Sequence, residues 1–245
     1  MEYKNYVFDL YGTLVDIKTD EEDMNAWSKL SLFYGYYDAL YDPEKLKERY
    51  FSLVNQEEDM LGSKLADVHE AHPEIKLENV FKKLYEEKGV NPSDELVIHT
   101  GQFFRVLTTE YIKLYDGVIE LLSRLKKVGK KVYLLSNAQR IFTEYELHVL
   151  NIAQYFDDIF ISSDYGIKKP DKRFFNMLIE KHSIKPSESI MIGNDMRSDI
   201  EGAQTVGMNT MYIHSNISPE LVGKPEADFV LAEMDMERVM DLLEV

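Results

Sequence analysis

YVFDLYGTLVD, residues 6–16, is an apolar run that stops at an aspartate and continues through a glycine and a threonine. The first part, Asn5 to Phe8, reads as a short buried strand that ends at Asp9. In open parallel sheets, ligands gather in the crevice at the carboxyl ends of the strands. Asp9 therefore sits where chemistry is expected, provided that the rest of the chain supplies such a sheet.

The remainder divides in two. Residues from about 20 to 113 read almost wholly helical, as in DPEKLKERYFSLVNQEEDML (42–61) and KLENVFKKLYEEKGV (76–90). NPSDE, residues 91–95, opens a further helix with Ser93 as its N-cap. The aromatic stretch FYGYYDALY (33–41) reads as packing rather than as a cofactor site. After YDGV (115–118) helices and strands alternate. The helix VIELLSRLKKVG ends at Gly129, and the apolar runs KVYLLS, DIFIS, SIMIG, NTMYIH and ADFVL follow. This alternation implies a parallel sheet wrapped by helices on both faces. The expected fold class is thus α/β, a Rossmann-like doubly wound parallel sheet. Residues 1–15 and 114–245 build its discontinuous core, and the helical stretch 16–113 is inserted between them.

Composition narrows the function. The chain has 245 residues, 44% of them hydrophobic, which suffices for a full core. It has no cysteine, so disulfide scaffolds, thiolate metal sites and cysteine nucleophiles are excluded. A net charge of −16 argues against a nucleic-acid partner. No apolar run approaches the roughly 18 residues of a membrane span, and the N-terminus does not read as a signal peptide. A cytoplasmic protein with no membrane partner is expected. Any phosphate site must bring its own positive charge, from a lysine or a metal.

The polar residues that follow the apolar runs are Asp9, then Ser136 and Asn137, then Asn194 and Asp195, with Asp199 four residues further on. Lys169 lies in GIKKPDKRFF, after DIFIS. Three carboxylates, a lysine and a serine hydroxyl form a coherent toolkit. Oxygen ligands suit Mg²⁺, which takes a few carboxylates and keeps several waters. A carboxylate can attack phosphorus. Taken singly, each residue has an ordinary reading as a turn, a cap or a solvated charge.

In this order the motifs resemble those of the haloacid dehalogenase-like hydrolases, over the whole α/β part. The resemblance implies that DLYGTLVD carries the nucleophile, Asp9, supported by Thr13. LLSN would supply Ser136 and the Asn137 backbone to bind the transferred group. KKPDKRFF would supply Lys169, the lysine that directly precedes the proline. IGNDMRSDIEGA would supply Asp195 and Asp199 as metal-site acids, with the Tyr11 backbone carbonyl and Asp9 completing the Mg²⁺ contacts. The helical stretch occupies the position of the family's helical cap. The implied activity is Mg²⁺-dependent hydrolysis of a small phosphorylated metabolite through an aspartyl-phosphate.

Tyr11 departs from the phosphatase pattern, in which a second aspartate handles the proton. A phenol with a pKa near 10 is a poor general base at neutral pH. The family's metal-free L-2-haloacid dehalogenases carry tyrosine there, but they lack the paired acids that this chain has in Asp195 and Asp199. They also use a cap arginine about thirty residues past the nucleophile, where this chain has YYDALYDPEK and no arginine before Arg49. Tyr11 is expected to act as a wall or hydrogen-bond donor, with substrates carrying good leaving groups favoured and simple alkyl phosphates turned over slowly. The alternatives are a metal-free dehalogenase and a family member that binds a ligand or partner without catalysis. The segment YGTLVDIKTDEED is expected to form a turn and flap joining core to cap.

Overall fold

The computed structural model describes residues 3–64, 72–221 and 223–245. Residues 65–71, within the stretch read as helical, lie outside the described residues, as do residues 1, 2 and 222.

Six parallel strands form the central sheet: β1 (Asn5–Phe8), β4 (Lys131–Ser136), β5 (Asp158–Ile161), β6 (Ser189–Gly193), β7 (Asn209–Ile213) and β8 (Phe229–Leu231). Their order is β5-β4-β1-β6-β7-β8, with Phe8 in register with Leu134 on one side and Ile192 on the other. β1 is central, so its backbone is paired on both edges and its end opens into the middle of the crevice. Side chains alternate between the two faces, as the pleat requires. Tyr6, Phe8, Leu134 and Ile192 pack with α5 (Val118–Lys127) and α10 (Met236–Leu243). Val7, Leu135 and Met191 pack with Phe174, Phe175 and Leu178 of α8 (Lys172–His182). Among the described residues, no helix is long and apolar enough to cross a membrane.

Between β1 and β4 lie α1 (Met24–Gly35), α2 (Pro43–Lys64), α3 (Leu77–Glu86) and α4 (Asp94–Thr108). Ser93 caps α4, accepting the Leu96 N–H at 3.1 Å. These helices have their own apolar cluster around Trp27, whose ring lies 5.1 Å from Phe104 and 5.2 Å from Tyr50. In the aromatic stretch 33–41, Tyr34 is fully buried, whereas Tyr36 is 88% exposed, so only part of it serves as packing. Ile141 and Phe142 of α6 (Arg140–Val149) complete the cluster. α4 can approach α6 this closely because residue 101 is glycine: a Cβ there would stand 2.3 Å from Ile141 Cδ1.

One element departs from the expectation of a helical block free of strands. Thr109–Leu114 forms a strand, β3, which pairs antiparallel with β2 (Val15–Thr19). The helix-to-strand switch after Thr108 occurs in RVLTTEYIKL, with no glycine or proline to mark it. Pairing with a strand ninety residues away in sequence decides it, and local pattern does not carry that information. Val15–Thr19, within the stretch 11–23 expected to form a turn and flap, is thus one strand of a two-stranded ribbon. Buried Asp16 fastens it, accepting bonds from Asn216 Nδ2 (2.9 Å) and Tyr111 Oη (3.1 Å).

A second connection links the helical segment to the core. Lys168 N donates to His72 O at 2.8 Å and Glu74 N to Gly166 O at 3.0 Å, so residues 72–74 run along the loop that leads to Lys169. Glu74 then accepts bonds from Ser162 Oγ and Gln139 Nε2.

Candidate active site

Asp9 follows β1 directly, and its N–H still bonds Ile192 O of the neighbouring strand at 3.0 Å, so sheet geometry fixes its backbone. The chain turns at once after it. Gly12 has φ +86°, a left-handed conformation, and a Cβ at that position would fall 2.2 Å from Asn194 Nδ2. Glycine is required there both by conformation and by space.

Lys169 is 2% exposed, and its ammonium meets three acceptors at 2.7 Å each: Asp9 Oδ1, Asp199 Oδ1 and the Leu135 carbonyl. Three protons and three acceptors saturate the group. Burial alone would push the lysine pKa down, but the two carboxylates outweigh it and hold the ammonium above its ordinary value. Asp199 is held above the usual carboxylate range, first by burial and then by the charge on Asp9, against the pull of Lys169. The lysine loop is clamped by Asn137, whose side chain accepts from Lys169 N (2.8 Å) and donates to Lys169 O (3.0 Å).

Asp195 opens a π-helical turn, Met196–Glu201, by accepting the N–H groups of Arg197 (2.9 Å) and Ser198 (3.1 Å) through Oδ1. Its own N–H donates to Asp199 Oδ2 at 3.0 Å. Both Asp199 oxygens are therefore engaged, one by Lys169 and one by this amide. Asp9 Oδ2 has only a long contact from Thr13 Oγ1, at 3.4 Å. Among the described residues, Asp195 Oδ2 accepts no hydrogen bond. Buried Ser136 Oγ, at the end of the adjoining strand, has no partner either.

The sequence-selected residues thus converge: Asp9, Tyr11, Asn137, Lys169, Asp195 and Asp199 all line one cleft of about 270 Å³. Ser136 and Thr13 are fully buried and are not among its lining residues; Ser136 ends β4, the strand beside β1. Among the described residues, no three side chains of the His, Asp and Glu type are grouped closely enough to hold a metal alone. The donor set still fits a hard cation. Two carboxylate oxygens are unspent, and Mg²⁺ habitually completes its shell with backbone carbonyls and water.

Three residues of the site were not anticipated. The Tyr11 hydroxyl turns from the cleft to donate to Glu146 Oε2, and Thr143 Oγ1 lies 2.9 Å from the phenol oxygen. Glu146 also accepts Arg105 Nε at 2.6 Å. Burial first, then the Glu146 charge, raises the phenol pKa far above its ordinary value, against the opposing guanidinium. The one signal in the sequence was an acid on the apolar face of α6, where Ile141, Phe142 and Leu147 are also buried.

Comparison with known proteins gives the family. A family model described as haloacid dehalogenase-like hydrolase matches residues 3–207, and the chain belongs to that family. It is a hydrolase whose curated relatives include phosphatases. It is 26% identical over 165 residues to the glyceraldehyde 3-phosphate phosphatase of Methanopyrus kandleri, covering 67% of this chain and 70% of that protein. It is 30% identical over 162 residues to the phosphoserine phosphatase of Thermus thermophilus, covering 66% of this chain and 63% of that protein. Its fold is similar to that of the HAD-hydrolase YfnB of Bacillus subtilis, solved with magnesium bound (TM-score 0.57, 20% identity, 100% of both chains). It is also similar to a 2-haloacid dehalogenase of Pseudomonas syringae (TM-score 0.64, 18% identity, 99% and 98% covered). At such identities these two likenesses concern the fold.

Proposed function

We propose that the protein is a Mg²⁺-dependent phosphohydrolase for a small phosphorylated metabolite with a good leaving group. The observation that carries this reading is that Asp9 and Asp195, two residues lining one cleft, each keep a carboxylate oxygen, Oδ2, that no close hydrogen bond from a described residue engages. Mg²⁺ held by Asp9, Asp195 and the Tyr11 carbonyl would neutralise phosphate charge in this acidic protein.

Asp9 is the nucleophile. Its carboxylate oxygen bonds to phosphorus as the bond to the leaving oxygen breaks, and the leaving group departs with the electron pair. Water then attacks phosphorus, releases phosphate and restores the carboxylate. Lys169 balances the charge of Asp9 and aims its carboxylate through the 2.7 Å contact. Asp199 acts one step removed, holding Lys169 and the Asp195 backbone. Ser136 and the backbone of Asn137, whose side chain is committed to the Lys169 loop, bind the transferred phosphoryl group. The helical segment serves as the cap, closing the crevice and selecting the leaving group.

Tyr11 is a wall, because its hydroxyl is committed to Glu146 and its proton is held too tightly to be donated at neutral pH. With no side-chain acid at this position, acyl phosphates and other activated phosphates are favoured. A dehalogenase reading needs a free arginine for the substrate carboxylate, and Arg105, the cap arginine beside Tyr11, is paired with Glu146.

The test is turnover of acetyl phosphate and of simple alkyl phosphates with and without Mg²⁺, alongside halide release from 2-chloropropionate. Mg²⁺-dependent release of phosphate, fastest from acetyl phosphate, is expected. Metal-independent halide release with no phosphate release would overturn the reading.

A further inference from the structure

Glu146 is 7% exposed, on the buried face of α6. A carboxylate at that depth must be matched by charge and by donors. It is matched from two different parts of the chain. Arg105, on the last helix of the cap, donates to Oε1 at 2.6 Å. Tyr11, two residues past the nucleophile, donates its phenol proton to Oε2. Thr143 braces the same phenol oxygen at 2.9 Å and is itself tied to the Gln139 carbonyl at 3.0 Å. The guanidinium also lies 5.7 Å from the centre of the Tyr11 ring and 5.1 Å from that of Phe142. A continuous chain of contacts thus runs from cap helix α4, through core helix α6, to the loop that carries Asp9.

The consequence lies at Tyr11. The residue whose hydroxyl is anchored to Glu146 also lines the catalytic cleft and lies two positions after Asp9, so the anchor fixes the course of the loop after the nucleophile. Arg105 is the cap's contribution to that anchor. We infer that Arg105 and Glu146 are positioning residues that act through Tyr11: seating α4 on α6 completes the chain and holds the nucleophile loop in its working shape. Cap closure and loop order are then one event. A merely structural ion pair would steady α4 on α6 without reference to Tyr11, and its loss would act independently of the phenol. The kinetic readout rests on the phosphohydrolase reading, whereas the structural readout does not.

The experiment is a cycle of Arg105→Met, Tyr11→Phe and the double variant, with Arg105→Lys as the conservative control and thermal melts to confirm folding. With acetyl phosphate, Arg105→Met should lower kcat by about tenfold and leave KM within about twofold, as expected for a misplaced reacting group. The double variant should be no slower than Arg105→Met alone, and Arg105→Lys should recover much of the rate. Losses that multiply, or a change confined to KM, would overturn the inference. In parallel, amide hydrogen exchange of residues 9–15 should quicken several-fold in Arg105→Met and return toward wild type in Arg105→Lys. Unchanged exchange in that loop would overturn the inference even if no substrate were found. A loop that responds in a protein that hydrolyses no phosphate would instead overturn the phosphohydrolase reading and leave the positioning role standing.

Discussion

The ammonium of Lys169 lies 2.7 Å from Oδ1 of Asp9, and neither residue has appreciable access to solvent. Asp199 shares that ammonium at the same distance, so a single buried cation balances two buried carboxylates. Lys169→Met would leave both acids uncompensated. Removing one partner of a buried pair costs about 3–5 kcal/mol, so a marked fall in the denaturation midpoint is expected together with loss of turnover. Unchanged stability would show that the carboxylates are less buried, or protonated, in solution.

Metal binding should depend on Asp195 more than on Asp199. Asp195 lines the cleft and has one oxygen that accepts no hydrogen bond from the described residues, whereas both oxygens of Asp199 are engaged. Calorimetry should show that Asp195→Asn weakens Mg²⁺ binding by about tenfold or more, the scale on which metal-site residues act. Equal affinity in wild type and Asp195→Asn would remove Asp195 from the metal site.

Tyr11→Phe keeps the ring and loses only the hydroxyl. General acid–base groups are typically worth about 10²–10⁴ in rate, so a loss of about tenfold, matching that of Arg105→Met, separates an anchor from a proton donor. Tyr11→Asp installs the missing acid, and it should raise turnover of alkyl phosphates more than that of acetyl phosphate. A loss of a hundredfold or more in Tyr11→Phe, or equal effects of Tyr11→Asp on both substrates, would mean that the phenol itself takes part in the chemistry.

Gly12→Ala tests the turn that follows the nucleophile. The left-handed φ and the 2.2 Å approach to Asn194 leave no room for a methyl group. The cost should be about 1–3 kcal/mol, the usual range for a strained backbone position, with activity falling because Asn194 must move. A variant as stable and active as wild type would show that the loop is softer than its contacts indicate.

Much of this was legible in the sequence because each core strand is a short apolar run that ends in a polar residue. Asp9, Ser136 and Asp195 stood out as a set at strand ends rather than singly, and Lys169 through the motif resemblance, as the lysine directly before the proline. β3 was not legible, since nothing in TTEYIKL breaks the preceding helix and its partner is β2. The Arg105–Glu146–Tyr11 chain was hidden for a related reason. Its links join residues 41 and 135 positions apart, and no local periodicity records such pairings. An acid on the apolar face of α6 was the only trace, and it gave no indication of what Glu146 would meet.

The central claim is that Asp9 becomes phosphorylated during turnover. Rapid quenching during acetyl phosphate hydrolysis, followed by peptide mass spectrometry, measures this directly. The expected result is a peptide carrying one phosphoryl group on Asp9 in the presence of Mg²⁺, with neither the modification nor turnover in Asp9→Asn. Hydrolysis at the wild-type rate by Asp9→Asn, with no phosphorylated aspartate at any time point, would contradict the account.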